Sequence, residues 1–203
     1  EYILYRFKFR LYPKRKIVPK FPIYLLVEPT SVCNLRCPMC YQSDKSFTKP
    51  QLMGTMKYDL FSRIIDEAVE GGTKALTMAS RGEPTLNKNF GKMVRYASKK
   101  FLELKIITNA TKLTEQLSHD ILSSGVSLLV FSIDAHTKNV YEKYRVSVSG
   151  KGNFELVRDN VRRFHKIREQ YYPHSKLTTR ISGVQVGEDQ DPEGLFSRPF
   201  HEN

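Results

Sequence analysis

The sequence predicts an α/β fold built on a parallel sheet, and two observations lead to this prediction. Strand-like and helix-like segments alternate along most of the 203 residues. Polar or small residues also follow one predicted strand after another, where the carboxyl ends of parallel strands would meet. Strands that alternate with helices are joined by right-handed crossovers and lie parallel to one another. A barrel and an open doubly wound sheet would both satisfy this pattern.

Five segments have the apolar and β-branched composition of buried strands. They are residues 23–28, 74–78, 104–108, 127–133 and 176–186. No sixth strand is visible after them. We therefore expect a parallel sheet that lacks a last strand.

Between these strands, apolar residues recur at intervals of three and four, which is typical of helices that bury one face. Such stripes occur over residues 59–70, 90–101, 117–122 and 154–167. Glycine follows the first stripe at Gly71 and the third at Gly125, and we expect these glycines to end their helices.

The two ends of the chain differ from this core, so we divide the chain into three parts. Residues 1–20 form a basic and aromatic N-terminal arm in which cationic and apolar residues alternate with a period of two, as in a strand. We expect the arm to pack on the protein's own body; an edge strand, a docking arm and a membrane-surface contact are the alternatives. Residues 21–187 form the core. Residues 188–203 form an acidic, turn-rich tail, and the chain is expected to be truncated there.

The chain is basic, with 33 Lys and Arg against 21 Asp and Glu and a net charge of +12. Such an excess favours acidic partners, namely nucleic acid, anionic lipid or an acidic peptide, unless it forms a solvated surface. No apolar run approaches the roughly 18–20 residues of a transmembrane segment, and the start has no signal-peptide pattern. Three clustered cysteines argue against a secreted disulfide scaffold and for a reducing compartment, so we expect a cytoplasmic protein.

All three cysteines, Cys33, Cys37 and Cys40, lie in one Cys-x-x-x-Cys-x-x-Cys segment. Thiolates are soft ligands, and three of them on one loop can hold three irons of a cubane cluster while the fourth iron stays open. Structural zinc usually takes four ligands in paired Cys-x-x-Cys units, and the histidines here have no metal-ligand spacing. The spacing therefore favours an iron–sulfur cluster over zinc or inert thiols.

Polar and small residues at the ends of the other strands would share one face with the cysteines. The second strand leads to Gly82-Glu83-Pro84, the third to Asn109, and the fourth to Ser132 and Asp134. Glycine permits close backbone approach, and carboxylate or carbonyl oxygens accept hydrogen bonds from an ammonium group. Asn and Ser side chains both donate and accept. The alternative for each residue is a role in a turn or a cap.

The segment from Glu28 to Tyr41 resembles the signature of the radical S-adenosylmethionine (SAM) superfamily, and more narrowly its branch that often carries a cysteine-rich SPASM extension. The resemblance runs from about Pro22 to Val186. It implies a partial (βα)6 TIM-like barrel with one 4Fe–4S cluster on the three cysteines and SAM on the open iron. It also implies reductive cleavage of SAM to a 5′-deoxyadenosyl radical, which abstracts hydrogen from a substrate.

The resemblance further implies which residues contact SAM. Gly82-Glu83-Pro84 matches the element that holds the methionine amino group, whereas Asn109 and Ser132 match positions near the ribose hydroxyls or the carboxylate. Arg145 matches an arginine that pairs with the SAM carboxylate. The candidate cofactor-binding residues are Met39, Gly82, Glu83, Pro84, Asn109, Ser132 and Arg145.

Two of these assignments concern the adenine. Met39 occupies a position that is commonly aromatic, and its polarizable side chain suits the same packing role. Residues 181–184 fit the usual adenine-contacting stretch, where small and apolar residues leave room for the base.

The same resemblance implies a peptide or protein substrate and an external electron donor. No cysteine follows Cys40, so SPASM auxiliary clusters cannot form in this chain. Two alternatives stay open: an RNA-modifying radical SAM enzyme, which the basic charge permits, and a non-catalytic or truncated iron–sulfur protein. The sequence has no RNA-binding module and no organised run of stacking aromatics near its basic residues.

Overall fold

The structure, a computed structural model, describes residues 1–190 and Phe200. Five strands form one parallel sheet in which neighbours along the chain are neighbours in space. The strands are β1 (Tyr24–Val27), β2 (Ala75–Met78), β3 (Glu103–Thr108), β4 (Leu128–Ser132) and β5 (Thr178–Ser182). The sheet is open rather than a closed barrel, and the described residues contain no sixth strand. The predicted α/β class with a parallel sheet is confirmed.

In the described residues, six α-helices accompany the strands. They are α1 (Tyr2–Arg15), α2 (Tyr58–Glu70), α3 (Phe90–Ala97), α4 (Glu115–Leu122), α5 (Lys138–Tyr144) and α6 (Phe154–Tyr171). Helices α2, α3, α4 and α6 match the predicted stripes. Helix α5 was not predicted, because its seven residues bury only Tyr141 and Tyr144 and are too few to repeat a stripe. Within the described part of the chain, we find no helix with the length and apolarity to span a bilayer.

The core lies between the sheet and the helices that cover its outer side. In β3, Leu104 and Ile106 are fully buried in this core, whereas the next residue, Ile107, lines a cavity on the other side of the sheet. This alternation follows from the period of two along a strand. The sheet therefore separates a dry core from a cavity that polar residues can reach.

Helix α1 corrects the prediction for the N-terminal arm. The alternation over residues 1–20 predicted an extended, strand-like arm, and this prediction is wrong because residues 2–15 are helical. Tyr5 is buried, and Phe9 packs edge-on against Tyr24 of β1, with ring centroids 5.6 Å apart. The arm does pack on the protein's own body, but it does so through aromatic residues at helical spacing.

The fifth strand is shorter than predicted, and the residues after it contact the rest of the protein. Strand β5 ends at Ser182 instead of continuing to Val186, because the following residues turn back onto the end of β4. Most of the predicted tail, residues 188–203, lies outside the described residues. Of its described residues, Gln190 is buried, and Phe200 packs against Phe154 with ring centroids 5.9 Å apart.

Replacing Phe61 of α2, which is fully buried, tests the assignment of the core. We expect Phe61→Ala to lower the free energy of unfolding by about 3–5 kcal/mol, because it removes buried surface and leaves a cavity. The neighbouring Leu60 is 41% exposed, so Leu60→Ala should cost no more than about 1 kcal/mol. Chemical denaturation of both variants measures the difference, and equal losses would contradict the assigned face of α2.

Candidate active site

A cavity of about 290 Å³ opens at the carboxyl ends of the strands. Its wall is built from the segments that follow all five strands. It brings together nine of the ten predicted site residues: Cys33, Cys37, Met39, Cys40, Gly82, Glu83, Asn109, Ser132 and Arg145. Pro84 does not line the cavity but is buried behind it, where it begins a short 3-10 turn over Pro84–Leu86.

The three cysteines are free thiols that face this cavity from one loop. Cys37 is buried, and Cys33 and Cys40 are half-buried. In the described residues, no three His, Cys, Asp or Glu side chains are grouped so that they could hold one metal ion. The cysteines of an iron–sulfur cluster ligate separate irons, so they do not need to converge on one point. Three free thiols around one cavity are the donor set that such a cluster requires.

Two neighbouring segments hold the cysteine loop in place. Before the cysteines, the Ser31 backbone N–H donates to the Gly54 carbonyl at 2.9 Å, and the Gly54 N–H donates to Ser31 Oγ at 2.8 Å. Between Cys33 and Cys37, the Arg36 N–H donates to the Val146 carbonyl at 2.8 Å. The loop is therefore fixed both before the first cysteine and between Cys33 and Cys37.

Burial and charge act in opposite directions on the thiols. Burial raises the pKa of Cys37 to about 11, and the positive charge of Arg145 opposes this rise. Burial also raises the pKa of Cys33, against a hydrogen bond that its sulfur accepts from the Leu35 N–H at 3.4 Å. A thiol must lose its proton to ligate a metal. The charge of Arg145 and the N–H of Leu35 therefore favour the thiolate, which is the form that ligates metals.

Gly82 fits the space beside the cysteine loop only because it has no side chain. A Cβ at this position would lie 2.0 Å from the Thr30 carbonyl oxygen and 2.6 Å from that of Val32. The close approach allows the Glu83 N–H to donate to the Val32 carbonyl at 2.9 Å. The glycine joins the segment after β2 to the segment that precedes the cysteines.

The carboxylate of Glu83 joins the same segment to β3. Oε2 accepts from the Asn109 backbone N–H at 2.6 Å, and Oε1 accepts from the Thr108 hydroxyl at 2.6 Å. Oε1 also accepts from the hydroxyl and the N–H of Thr85. Burial raises the pKa of Glu83, and these hydrogen bonds oppose the rise. Most of the acceptor capacity of the carboxylate is therefore used within the protein.

The side chain of Asn109 connects the end of β3 to the cysteine loop. Its Nδ2 donates to Asn34 Oδ1 at 3.0 Å and lies 4.0 Å from Cys33 Sγ. Its Oδ1 accepts from the N–H and the hydroxyl of Thr111. Asn109 is thus directed towards the first cysteine as well as towards the cavity.

Arg145 is held in the cavity wall by a buried carboxylate. Its Nε lies 2.5 Å from Asp134 Oδ2, and Asp134 is fully buried. Asp134 Oδ1 accepts from the Val184 N–H at 2.9 Å, and the Asp134 carbonyl accepts from Gln190 Nε2 at 3.0 Å. The segments after β4, α5 and β5 are therefore fastened to one another. Arg145 is not one of the solvated cations of the surface.

Ser132 and Val184 complete the wall on the β4–β5 side. Ser132 pairs with Ser182 in the register of the two strands and faces the cavity from the end of β4. Val184, from the stretch predicted to contact adenine, also lines the cavity. Gly183 permits this, because a Cβ there would lie 2.6 Å from the Ile133 carbonyl oxygen.

Sequence reasoning missed three buried amide side chains that organise the site. Gln42 Nε2 donates to the carbonyls of Ser31 and Arg81, at 2.9 and 2.8 Å. Asn87 Nδ2 donates to the Pro29 carbonyl at 2.9 Å. Gln190 Nε2 donates to the Asp134 carbonyl and so joins the segment after β5 to the segment after β4. Amides in loop sequences usually face solvent, and no spacing rule distinguishes the buried ones.

Comparisons with known proteins agree with this geometry. A family model described as the radical SAM superfamily matches residues 27–192. A tungsten-containing aldehyde ferredoxin oxidoreductase cofactor-modifying protein of Pyrococcus furiosus is 39% identical over 112 residues, which are 55% of this chain and 30% of that protein. Mycofactocin maturase MftC of Mycolicibacterium smegmatis is 25% identical over 177 residues, which are 87% of this chain and 42% of that protein.

Among solved structures, Streptococcus suis SuiB bound to precursor peptide SuiA superposes with a TM-score of 0.68 at 16% identity. The match covers 95% of this chain and 40% of SuiB. At this level of identity the likeness concerns the fold. The chain spans less than half the length of these relatives.

Gly82→Ala tests the close approach of the two segments. The added Cβ meets backbone atoms that cannot move without displacing the cysteine loop, so we expect lower stability, by about 1–3 kcal/mol, and reduced iron content after reconstitution. Gly54→Ala, on the neighbouring segment, is the matched control, because a Cβ at Gly54 has no atom within 4 Å. Iron assay and chemical denaturation compare the two; similar behaviour would contradict the proposed role of Gly82.

The buried ion pair between Arg145 and Asp134 gives a second test. Removing the guanidinium leaves a buried carboxylate without its charge partner, so Arg145→Ala should cost about 3–5 kcal/mol of stability. The control is Lys143→Ala, two residues earlier in α5, which breaks an exposed pair with Asp189 and should cost at most about 1 kcal/mol. If both variants unfold at the same denaturant concentration, the Arg145 pair does not hold the wall.

Proposed function

The chain belongs to the radical SAM superfamily, and we propose that it binds one 4Fe–4S cluster through Cys33, Cys37 and Cys40 and cleaves SAM reductively beside it. When bound, these two groups supply a 5′-deoxyadenosyl radical that abstracts hydrogen from a substrate. Because the chain spans less than half of its relatives, the activity of the whole protein is part of the proposal.

The observation that carries this proposal is the convergence of all three cysteines and six candidate SAM-contacting residues on one cavity. These residues come from the segments after four different strands and from the end of α5, and they are far apart in sequence. A structural metal site would need only the cysteine loop. The additional polar groups around the cavity support a site that holds a second, polar ligand.

The contacts within the protein suggest how the candidate residues share the work of binding SAM. We infer that Gly82 and Glu83 offer mainly backbone carbonyls to the methionine ammonium, because the Glu83 carboxylate already accepts four hydrogen bonds. Pro84 supports them from behind the cavity wall. Arg145 is a cation fixed by Asp134, so it suits the SAM carboxylate. Met39 and Ser132 line the same cavity, and we assign them to the adenosyl part.

We propose a peptide or protein as the substrate. The relatives support this choice by their names: MftC is a mycofactocin maturase, and AlbA of Bacillus subtilis is an antilisterial bacteriocin subtilosin biosynthesis protein. SuiB, which shares the fold, is bound to a precursor peptide. The Pyrococcus furiosus relative, named a cofactor-modifying protein, favours a small-molecule substrate as the second candidate.

Two further elements belong to the proposal. The cluster needs an external protein to supply its electron, and three thiolate ligands are kept reduced most readily in a compartment such as the cytoplasm. An RNA substrate is the alternative that the net charge of +12 permits, and it predicts a steep dependence of binding on salt.

Anaerobic reconstitution followed by reduction tests the proposed chemistry. The protein should form 5′-deoxyadenosine from SAM, and Cys37→Ala should abolish this product, because one iron of the cluster loses its ligand. Met39→Leu is the matched control, since it keeps an apolar side chain in the same loop and should retain the cluster. The three cysteines give an independent readout: three titratable thiols before reconstitution and none after it. A complete cluster without SAM cleavage would support the non-catalytic alternative.

The substrate class is tested by the yield of 5′-deoxyadenosine and by binding. A peptide substrate should raise the yield and bind with little dependence on salt. Binding of RNA with a steep salt slope, and none of peptides, would overturn the proposed substrate.

A further inference from the structure

The outward face of α1 combines exposed apolar side chains with cations. Ile3, Phe7 and Leu11 follow at four-residue intervals and therefore form one stripe along the helix. Ile3 is 84% exposed and Phe7 is 59% exposed. The helix contains no acidic residue. Its exposed cations are Arg10, Lys14 and Arg15, whereas Lys8 is half-buried and Arg6 pairs with Glu103 of the protein body at 3.7 Å.

This stripe is not needed to attach the helix to the protein. The opposite face does so, through buried Tyr5, through the edge-on contact of Phe9 with Tyr24, and through the Tyr2 hydroxyl, which donates to Glu103 at 3.3 Å. The outer stripe therefore exposes large apolar groups to water without a contribution to the fold. Such groups beside cations mark an interaction surface.

The residues after the helix also expose apolar side chains beside cations. Ile17 is 45% exposed and Val18 is 91% exposed, and they lie between Lys16 and Lys20. Residues 1–20 carry seven Lys and Arg against one Glu, so half of the net charge of +12 lies in this part of the chain. A partner that matches the surface must be both anionic and able to accept apolar side chains.

Helix α1 lies at the opposite end of the sheet from the cavity. Its contacts are with Tyr24 and Glu103, the first residues of β1 and β3, and Lys74, directly before β2, pairs with Glu1 at 2.8 Å. The cavity opens at the carboxyl ends of these strands. A partner on α1 therefore leaves the mouth of the cavity open.

We propose that the outward face of α1 binds the surface of a bilayer that contains anionic lipid, with the helix in the plane of the interface. A surface helix can bind in this way when its exposed apolar side chains enter the headgroup boundary and the cations beside them contact lipid phosphates. A helix of 14 residues offers about 21 Å of contact. Nucleic acid would use the cations but would gain little from Ile3 and Phe7, so the membrane accounts for both parts of the surface.

Sedimentation with vesicles tests this proposal. The purified protein should bind vesicles of phosphatidylcholine that contain a third of phosphatidylglycerol, should bind pure phosphatidylcholine weakly, and should lose affinity at high salt. The double variant Ile3→Ser, Phe7→Ser should bind at least about tenfold more weakly, because two apolar side chains no longer enter the interface. Arg10→Gln, Lys14→Gln and Arg15→Gln should each weaken binding by about fivefold.

Matched variants elsewhere on the surface control for general effects. Leu60→Ser with Leu156→Ser removes two apolar side chains that are 41% and 51% exposed on other helices. Lys57→Gln, Lys99→Gln and Lys166→Gln remove three exposed cations outside α1. Both sets should bind vesicles nearly as the parent protein does, and thermal unfolding should show that every variant is folded.

Three results would overturn the proposal. They are equal binding to vesicles with and without phosphatidylglycerol, equal losses in the control variants, and binding to single-stranded RNA or polyglutamate with the same dependence on Ile3 and Phe7 as binding to vesicles. The measurement needs neither the cluster nor SAM. Its outcome is therefore independent of the proposed catalytic function.

Discussion

The fully buried carboxylate of Glu83 is the interaction on which the site depends. The carboxylate accepts hydrogen bonds from Thr108 and Asn109 at the end of β3. The backbone N–H of Glu83 donates to the Val32 carbonyl, just before the first cysteine. Three segments that are distant in sequence are thereby set at fixed distances. A carboxylate buried in this way is costly unless its oxygens are satisfied, so the four donors around it must be present together. The position of the cysteine loop therefore depends on the four hydrogen bonds to the Glu83 carboxylate.

Most of the fold could be predicted from the sequence because its signals are long and repeated. Strands β2, β3 and β4 and the helices α2, α3, α4 and α6 bury apolar side chains at the spacing of their element, and the pattern records this burial. The edge strands β1 and β5 are more exposed, and their apolar and β-branched composition identified them. The prediction failed for α1, where Arg6, Lys8 and Arg10 alternate with apolar residues. That alternation fits a strand as well as a helix, and only the contact of Tyr5 and Phe9 with the sheet decides between them.

For the candidate site, the sequence predicted which residues take part but not the contacts that they make within the protein. The cysteines and the residues at strand ends were found because parallel strands bring their carboxyl ends together. What the sequence could not reveal is how these side chains are shared between ligand and protein. Asn109 bonds to Asn34, and Arg145 pairs with Asp134, and neither partner is recognisable from spacing. The same holds for Gln42 and Gln190, whose burial results from loops that close only in three dimensions.

The parallel sheet also determines how the two ends of the molecule can be used. Since all strands run in one direction, the loops that line the cavity all lie at the carboxyl end, and the amino end is free for other contacts. Helix α1 covers that amino end with Tyr5 and Phe9 and presents Ile3 and Phe7 outwards. A surface there is separated from the cavity by the full length of the strands. The outward face of α1 can therefore bind a partner without placing any side chain in the cavity. Binding at α1 and chemistry in the cavity can thus vary independently in this fold.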